Sequence, residues 1–170
     1  MKLLYAPWRQ NYIKTEVNKE KDEQNKATNS CVFCEQPTQD KDEQNYILKR
    51  FKYNYAMMNL YPYNAGHLLI IPYEHKNKLY GIGEETQIEH IKIVSQCCEI
   101  LEKTFKCDGI NVGLNMGKAS GGTVPEHLHT HALPRWIGDT NFLSAIADTK
   151  PISFNLQDIY NRLKPEFDRI

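Results

Sequence analysis

The run HLHTHALP places His127, His129 and His131 at every second position. In an extended chain alternate side chains leave from one face, so these three imidazoles and Leu133 are expected to line one surface, with Leu128, Thr130 and Ala132 on the other. The chain holds 6 histidines, and half of them fall on this one segment, which argues for a built cluster over a chance one. Three kinds of chemistry suit such a rank: an exposed polar face, a three-histidine metal site, or an imidazole nucleophile with helpers beside it. Just upstream, GLNMGKASGGT (residues 113–123) supplies Asn115, Ser120, Thr123 and several glycines whose backbone N–H groups can approach phosphate oxygens closely. The loop lacks a GKS or GKT ending, so it is not a Walker loop. A glycine-rich loop next to a rank of histidines is what in-line transfer of a phosphoryl or nucleotidyl group to an imidazole requires.

A second constellation is the CVFC segment, Cys31 and Cys34. In a reducing compartment such a pair is better explained by metal than by a disulfide. Cys97, Cys98 and Cys107 read as ordinary small hydrophobes, the first two within a helical pattern.

The elements that must position these residues follow from periodicity and punctuation. Residues 46–51 and 53–59 are β-like. The turn YPYNAG follows, then a short apolar run at 67–72 carrying Leu68, Leu69, Ile70 and Ile71. Over residues 84–105 Ile88, Ile91, Val94, Cys98, Leu101 and Phe105 recur three or four apart, predicting one amphipathic helix stopped by Cys107, Asp108 and Gly109. Residues 110–115 and 127–134 read as further strands. Residues 156–164 read as a short helix cut by Pro165. Strands on both sides of one main helix, without repeated strand–helix units, predict an α+β domain with an antiparallel sheet of about five strands. Residues 17–45 form a polar region in which KDEQN occurs at 21–25 and again at 41–45. One recurrence of a pentapeptide is no structural repeat.

Composition limits the partners. With 170 residues, 41% of them hydrophobic, a single domain with a sizeable core is expected. Lys plus Arg and Asp plus Glu both number 21, so the surplus of cations that a non-specific nucleic-acid binder needs is missing, and the expected substrate is small. No apolar run reaches the roughly 18 residues of a membrane span, and the first residues lack the apolar stretch of a signal peptide. The expected location is the cytoplasm, with no membrane partner.

HLHTHALPR resembles the HxHxHxx signature of the histidine triad family. NAGHLLIIP and NMGKASGGT are similar to that family's flanking pattern, and the likeness runs from about Cys31 to Asn141. APWRQNYI, CVFC, NLYPYNAGHLLIIP and HALPRWIGDTNF look most like the branch containing bacterial diadenosine tetraphosphate phosphorylases. The resemblance implies a histidine triad fold spanning residues 1–170, with a catalytic core at 46–141. It implies that His129 is the nucleophile, one ring nitrogen donating to a backbone carbonyl, and that His131 bonds phosphate or the bridging oxygen. It further implies that Asn115, Gly121, Gly122 and Thr123 hold phosphates, with a slip of one residue open within 121–123. Asn59 matches a ribose-contacting position, or else starts the YPYN turn. His67 is either close to the site or a buried, satisfied histidine. Cys31, Cys34, His75 and His127 match a structural zinc set. Trp8, Arg9, Arg135 and Trp136 match positions near the phosphate channel or a dimer contact.

The activity implied is cleavage of a dinucleoside polyphosphate through a nucleotidyl-histidine intermediate, with water or inorganic phosphate as acceptor, in a homodimer. The alternatives are a purine nucleoside phosphoramidase or adenylate hydrolase, and a zinc-stabilised nucleotide-binding regulator with little turnover. No organic cofactor is implied.

Overall fold

The computed structural model describes residues 31–147, 150 and 154–170. Trp8, Arg9 and residues 17–30 of the polar region lie outside the described residues. The described residues fall into two units, 137–147 with 150, and 31–136 with 154–170.

The second unit holds a short helix α1 (Val32–Glu35), strands β1 (Ile47–Arg50), β2 (Asn54–Met58) and β3 (Leu68–Pro72), and the long helix α2 (Glu84–Phe105). Strands β4 (Gly109–Leu114) and β5 (Thr130–Arg135) follow it. All strand pairs are antiparallel, and the five-stranded sheet runs β1-β2-β3-β5-β4. In the first unit α3 (Phe142–Ala147) follows Asn141, whose Oδ1 accepts from Leu143 N at 3.0 Å. The last element of the chain, belonging to the second unit, is α4 (Leu156–Asp168). The architecture is the expected α+β domain with one main helix and a C-terminal one.

Every residue of β2 and β3 is buried, as the unbroken run LLIIP leads one to expect for central strands. One sheet face packs with α2 and α4 into a core that includes Leu48, Ala56, Met58, Leu68, Ile70, Ile93, Leu101, Leu163 and Phe167. A smaller cluster on the other side gathers Phe33, Ile47, Tyr55, Met57, Leu69 and Ile71.

Several expectations need correction. Helix α2 spans the residues foreseen, but its buried face is Thr86, His90, Ile93, Val94, Cys97, Ile100 and Leu101. Ile88 and Ile91 are exposed. The apolar template misplaced the stripe because two polar residues, Thr86 and His90, occupy its inner face with their hydrogen bonds satisfied. Helix α4 is not cut at Pro165 but runs to Asp168 with the proline inside it. A proline there costs about 3 kcal/mol. Burial of Ile159, Tyr160, Leu163 and Phe167 on the same helix, at roughly 2 kcal/mol each, outweighs that cost.

The segment 127–134 is also not strand throughout, since β5 begins at Thr130. Its ladder with β3 ends at Ile70↔Thr130. Further along β3 lies Pro72, which has no N–H to give, and Leu128 N–H turns instead to Lys76 O at 2.6 Å. His127 and His129 therefore enter the sheet on an extended lead-in, and only His131 sits within the ladder.

Candidate active site

The lead-in separates three histidines of identical chemistry by what each ring's second nitrogen meets. His129 is 4% exposed, and its Nδ1 lies 2.8 Å from His127 O. A carbonyl only accepts, so Nδ1 carries the proton and Nε2 keeps its lone pair. Burial pulls the pKa of His129 down, and the bond to the His127 carbonyl opposes this less strongly, so the ring is neutral at pH 7. The Phe33 ring stands 5.0 Å from the His129 ring and shields it; Tyr55 Oη holds that segment by donating to Phe33 O at 2.8 Å.

His131 neighbours His129 with ring centroids 5.0 Å apart. Its Nδ1 lies 2.9 Å from His67 Nε2. The direction of that bond follows from the other side of His67, where Tyr63 N–H donates to Nδ1 at 3.2 Å. Nδ1 of His67 is thus an acceptor, Nε2 carries the proton, and His131 Nδ1 receives it. His131 is left with a proton on Nε2. Burial, reinforced by the rings of His131 and His129, pushes His67 down to about 3, so it stays neutral in this relay. His67 reaches its place through the NAGH turn. Gly66 there has φ +73, and a Cβ on it would come within 2.8 Å of the Phe105 ring, so the end of α2 closes directly on the start of β3.

Asn59 faces the same relay. Its Oδ1 accepts from Tyr61 N at 2.9 Å and its Nδ2 lies 3.3 Å from His67 Nδ1, so its amide both shapes the turn and supports the acceptor role of that nitrogen.

His127 is turned the other way. Its Nε2 lies 2.8 Å from Pro72 O, which fixes the proton there and frees Nδ1. That Nδ1 lies 3.3 Å from Cys31 Sγ, 3.5 Å from Cys34 Sγ and 3.3 Å from His75 Nδ1. Cys34 Sγ is 3.3 Å from His75 Nδ1, and all four ligand atoms lie within 4.8 Å of one another. A tetrahedral site with Zn–N near 2.0 Å and Zn–S near 2.3 Å has ligand–ligand edges of roughly 3.3–3.8 Å, so this donor set fits a divalent metal in both chemistry and spacing. Burial and the neighbouring Cys31 push the Cys34 thiol up to about 11, a charge conflict that a bound cation reverses.

The glycine-rich loop leaves β4 at the level of the histidines. Gly113 pairs with His131 and Leu114 with Thr130, which puts Asn115 level with His129, just past the ladder. As a directly opposed pair Gly113 and His131 share one face of the sheet, and Asn115 follows the last ladder pair. A Cβ on Gly113 would meet nothing within 4 Å, so open space adjoins His131. Gly121 has φ +82, and Gly122 folds back on Asn115, a Cβ on it falling 3.2 Å from Asn115 Cβ. Thr123 is exposed, and Arg135 Nη1 donates to Asn111 Oδ1 at 2.9 Å.

The structure thus brings His129 and His131 together and gathers Cys31, Cys34, His75 and His127 beside them. Sequence reasoning gave no part to Phe33 or to the Pro72 carbonyl, and left His67 undecided. Their signals are contacts across long sequence separations, which no local pattern carries.

Comparison with known proteins identifies the family. The family model described as HIT domain matches residues 40–136. An AP-4-A phosphorylase of Mycobacterium tuberculosis is 36% identical over 166 residues, covering 98% of this chain and 84% of that protein. A bis(5'-adenosyl)-triphosphatase of Saccharomyces cerevisiae is 33% identical over 93 residues, covering 53% of this chain and 44% of that protein. A Zn-bound histidine triad family protein from Mycobacterium smegmatis shares the fold, with a TM-score of 0.67 at 23% identity, over 82% of this chain and 94% of that one. With its own histidine run, flanking turn and glycine-rich loop set in the same five-stranded sheet, this chain belongs to the HIT domain, or histidine triad, family.

Proposed function

We propose that this chain cleaves dinucleoside polyphosphates, with diadenosine tetraphosphate as the type substrate, by passing a nucleotidyl group through His129. The observation that carries the reading is the bond from His129 Nδ1 to His127 O, which leaves Nε2 unprotonated beside a neighbour whose own Nε2 bears a proton. His129 Nε2 attacks the α-phosphorus, a P–N bond forms, and the bridging P–O bond breaks with its electron pair leaving on the departing nucleotide. His131 Nε2–H donates to that oxygen. An acceptor oxygen then attacks the phosphorus and gives its proton to the vacated Nε2 of His131, the P–N bond breaks, and Nε2 of His129 regains its lone pair. Asn115 and the amides of Gly121, Gly122 and Thr123 hold the phosphoryl oxygens while charge builds on them. Asn59 offers the remaining capacity of its Oδ1 to a ribose hydroxyl.

Inorganic phosphate is the acceptor we favour, because the relative matched along nearly the whole chain is a phosphorylase. We assign zinc to the Cys31, Cys34, His75 and His127 set, where it would supply a structural cross-link and no reacting centre. We further propose a cytoplasmic homodimer of one histidine triad domain per chain. β4 is a sheet edge with Val112 49% exposed, a surface that pairing with a second copy would cover.

The test is incubation with diadenosine tetraphosphate with and without phosphate. ADP formed only with phosphate is expected, whereas AMP plus ATP in both buffers replaces the phosphorylase with a hydrolase. Rapid quench with labelled substrate should trap an adenylyl adduct on the wild type and none on His129→Asn. Tight nucleotide binding without any adduct would instead leave a regulator.

A further inference from the structure

Behind the sheet, on the face opposite the reacting imidazoles, runs a buried chain of hydrogen bonds that the cleavage mechanism does not use. His90, on the inner face of α2, is 4% exposed. Its Nδ1 lies 2.8 Å from Asn54 Oδ1 and its Nε2 2.7 Å from Thr130 Oγ1. The Asn54 amide has its orientation fixed, because Nδ2 donates to Thr86 O at 3.2 Å and to Glu89 Oε2 at 2.9 Å. Glu89 is itself tied to the backbone, accepting from Tyr53 N at 2.7 Å and Lys52 N at 3.1 Å.

Each link sets the direction of the next. Asn54 Oδ1 accepts, so His90 Nδ1 carries the proton. His90 Nε2 then accepts, so the Thr130 hydroxyl donates. Burial keeps this imidazole neutral, with its pKa pushed down to about 4, in accord with one donor and one acceptor nitrogen. Thr130 is the residue between His129 and His131, and it is the point where β5 joins the ladder, opposite Ile70 and Leu114. It is 3% exposed, with its side chain turned to α2.

We infer that His90 is a positioning residue for catalysis: through Thr130 it sets the rotation and height at which β5 begins, and so the relative placement of the two imidazoles on the opposite face. The inference rests on the reading of His129 as nucleophile. The lead-in before Thr130 has no ladder partner on β3: His129 stands between the Leu128 N–H bond to Lys76 O on one side and residue 130 on the other, so its alignment depends in part on how firmly residue 130 is held. A donor to His90 is needed there, and valine, with the same shape as threonine, supplies none. Nucleophilic attack is sensitive to sub-ångström placement, so loosening Thr130 lowers the rate of adduct formation more than it lowers nucleotide affinity.

The experiment compares Thr130→Val, Thr130→Ser and His90→Leu with the wild type. The readouts are the single-turnover rate of adduct formation, KM, Tm and the imidazole N–H resonances. Thr130→Val is expected to slow adduct formation about tenfold or more while KM moves less than about threefold. Thr130→Ser, which keeps the hydroxyl, restores most of the rate. His90→Leu combined with Thr130→Val is no slower than the slower single variant, because both break one bond. Adduct formation at the wild-type rate in Thr130→Val overturns the inference, and so does a Thr130→Ser variant as slow as Thr130→Val. The N–H resonance of His129 Nδ1 provides a reading independent of turnover. Broadening in folded Thr130→Val supports the inference, and an unchanged line overturns it. A wild type that forms no adduct refutes the nucleophile assignment, and that failure is seen separately from the response of the resonance.

Discussion

The proposed metal set and the proposed nucleophile stand on one short segment, yet opposite ring atoms are set free in them. His127 gives its Nε2–H to Pro72 O and offers Nδ1 to two cysteines and a histidine. His129, two residues on, gives its Nδ1–H to His127 O and keeps Nε2 for attack. His131 follows a third pattern, receiving a proton on Nδ1 from His67 and so carrying its own on Nε2. The residue type is the same in each case. What differs is the partner of one ring nitrogen, and that partner decides which nitrogen keeps a lone pair and which carries a proton, the basis of the three roles proposed above.

The sharpest way to break this comparison is to remove the nucleophile alone. His129→Asn is expected to lower turnover by roughly 10⁴-fold or more, with Tm near that of the wild type, since no metal ligand is lost. A variant retaining more than a few per cent of activity would end the claim that this ring attacks.

The relay to His131 is tested by His67→Phe, which keeps an aromatic ring but removes the donor. We expect kcat to fall about 10²-fold with KM little changed, because binding survives and the protonation pattern does not. Equal losses in both constants would assign His67 to substrate binding.

At the other cluster, Cys31→Ser or a strong chelator is expected to remove one zinc per chain, read by elemental analysis. Tm should drop by about 10 °C, while kcat at 20 °C stays within about threefold. Loss of all activity in chelated protein that remains folded by circular dichroism would move the metal from scaffold to chemistry.

The smallest effect concerns the buried imidazole behind the sheet. His90 is held at about 4 against roughly 6.5 in an unfolded chain. Between those values the unfolded chain binds more protons. Stability from this group is therefore complete above the unfolded value and is lost as pH falls through the folded one. Urea unfolding at pH 7.5 and pH 5 should differ by about 2 kcal/mol from His90, with His67 acting in the same direction. A flat profile would mean that these rings are protonated in the native state.

The alternation of His127, His129 and His131 and the CxxC pair were readable from spacing alone as clusters, and the structure places His129 beside His131 and Cys31 and Cys34 beside His75 and His127. The strands carrying Leu68–Pro72 and the length of α2 were equally plain from hydrophobic pattern. The orientation of each imidazole was not, because Pro72, His67 and Lys76 reach the histidine segment from more than fifty residues away. The inner face of α2 escaped the pattern for a related reason. His90 and Thr86 count as polar in any hydropathy scale, and they become interior residues only once Asn54, Glu74 and Thr130 satisfy them. Pro165 misled in the opposite sense, as a local rule outweighed by the burial of Leu163 and Phe167.

The bond from His129 to residue 127 has a consequence for how such a site can change through descent. The acceptor is a main-chain carbonyl, which every amino acid possesses, whereas the metal ligand at the same position is a particular side chain. A substitution at 127 therefore leaves the acceptor of the His129 Nδ1 proton in place. On the proposed assignment the metal set and the reacting ring are separable although they share residue 127, since the first needs its side chain and the second only its carbonyl.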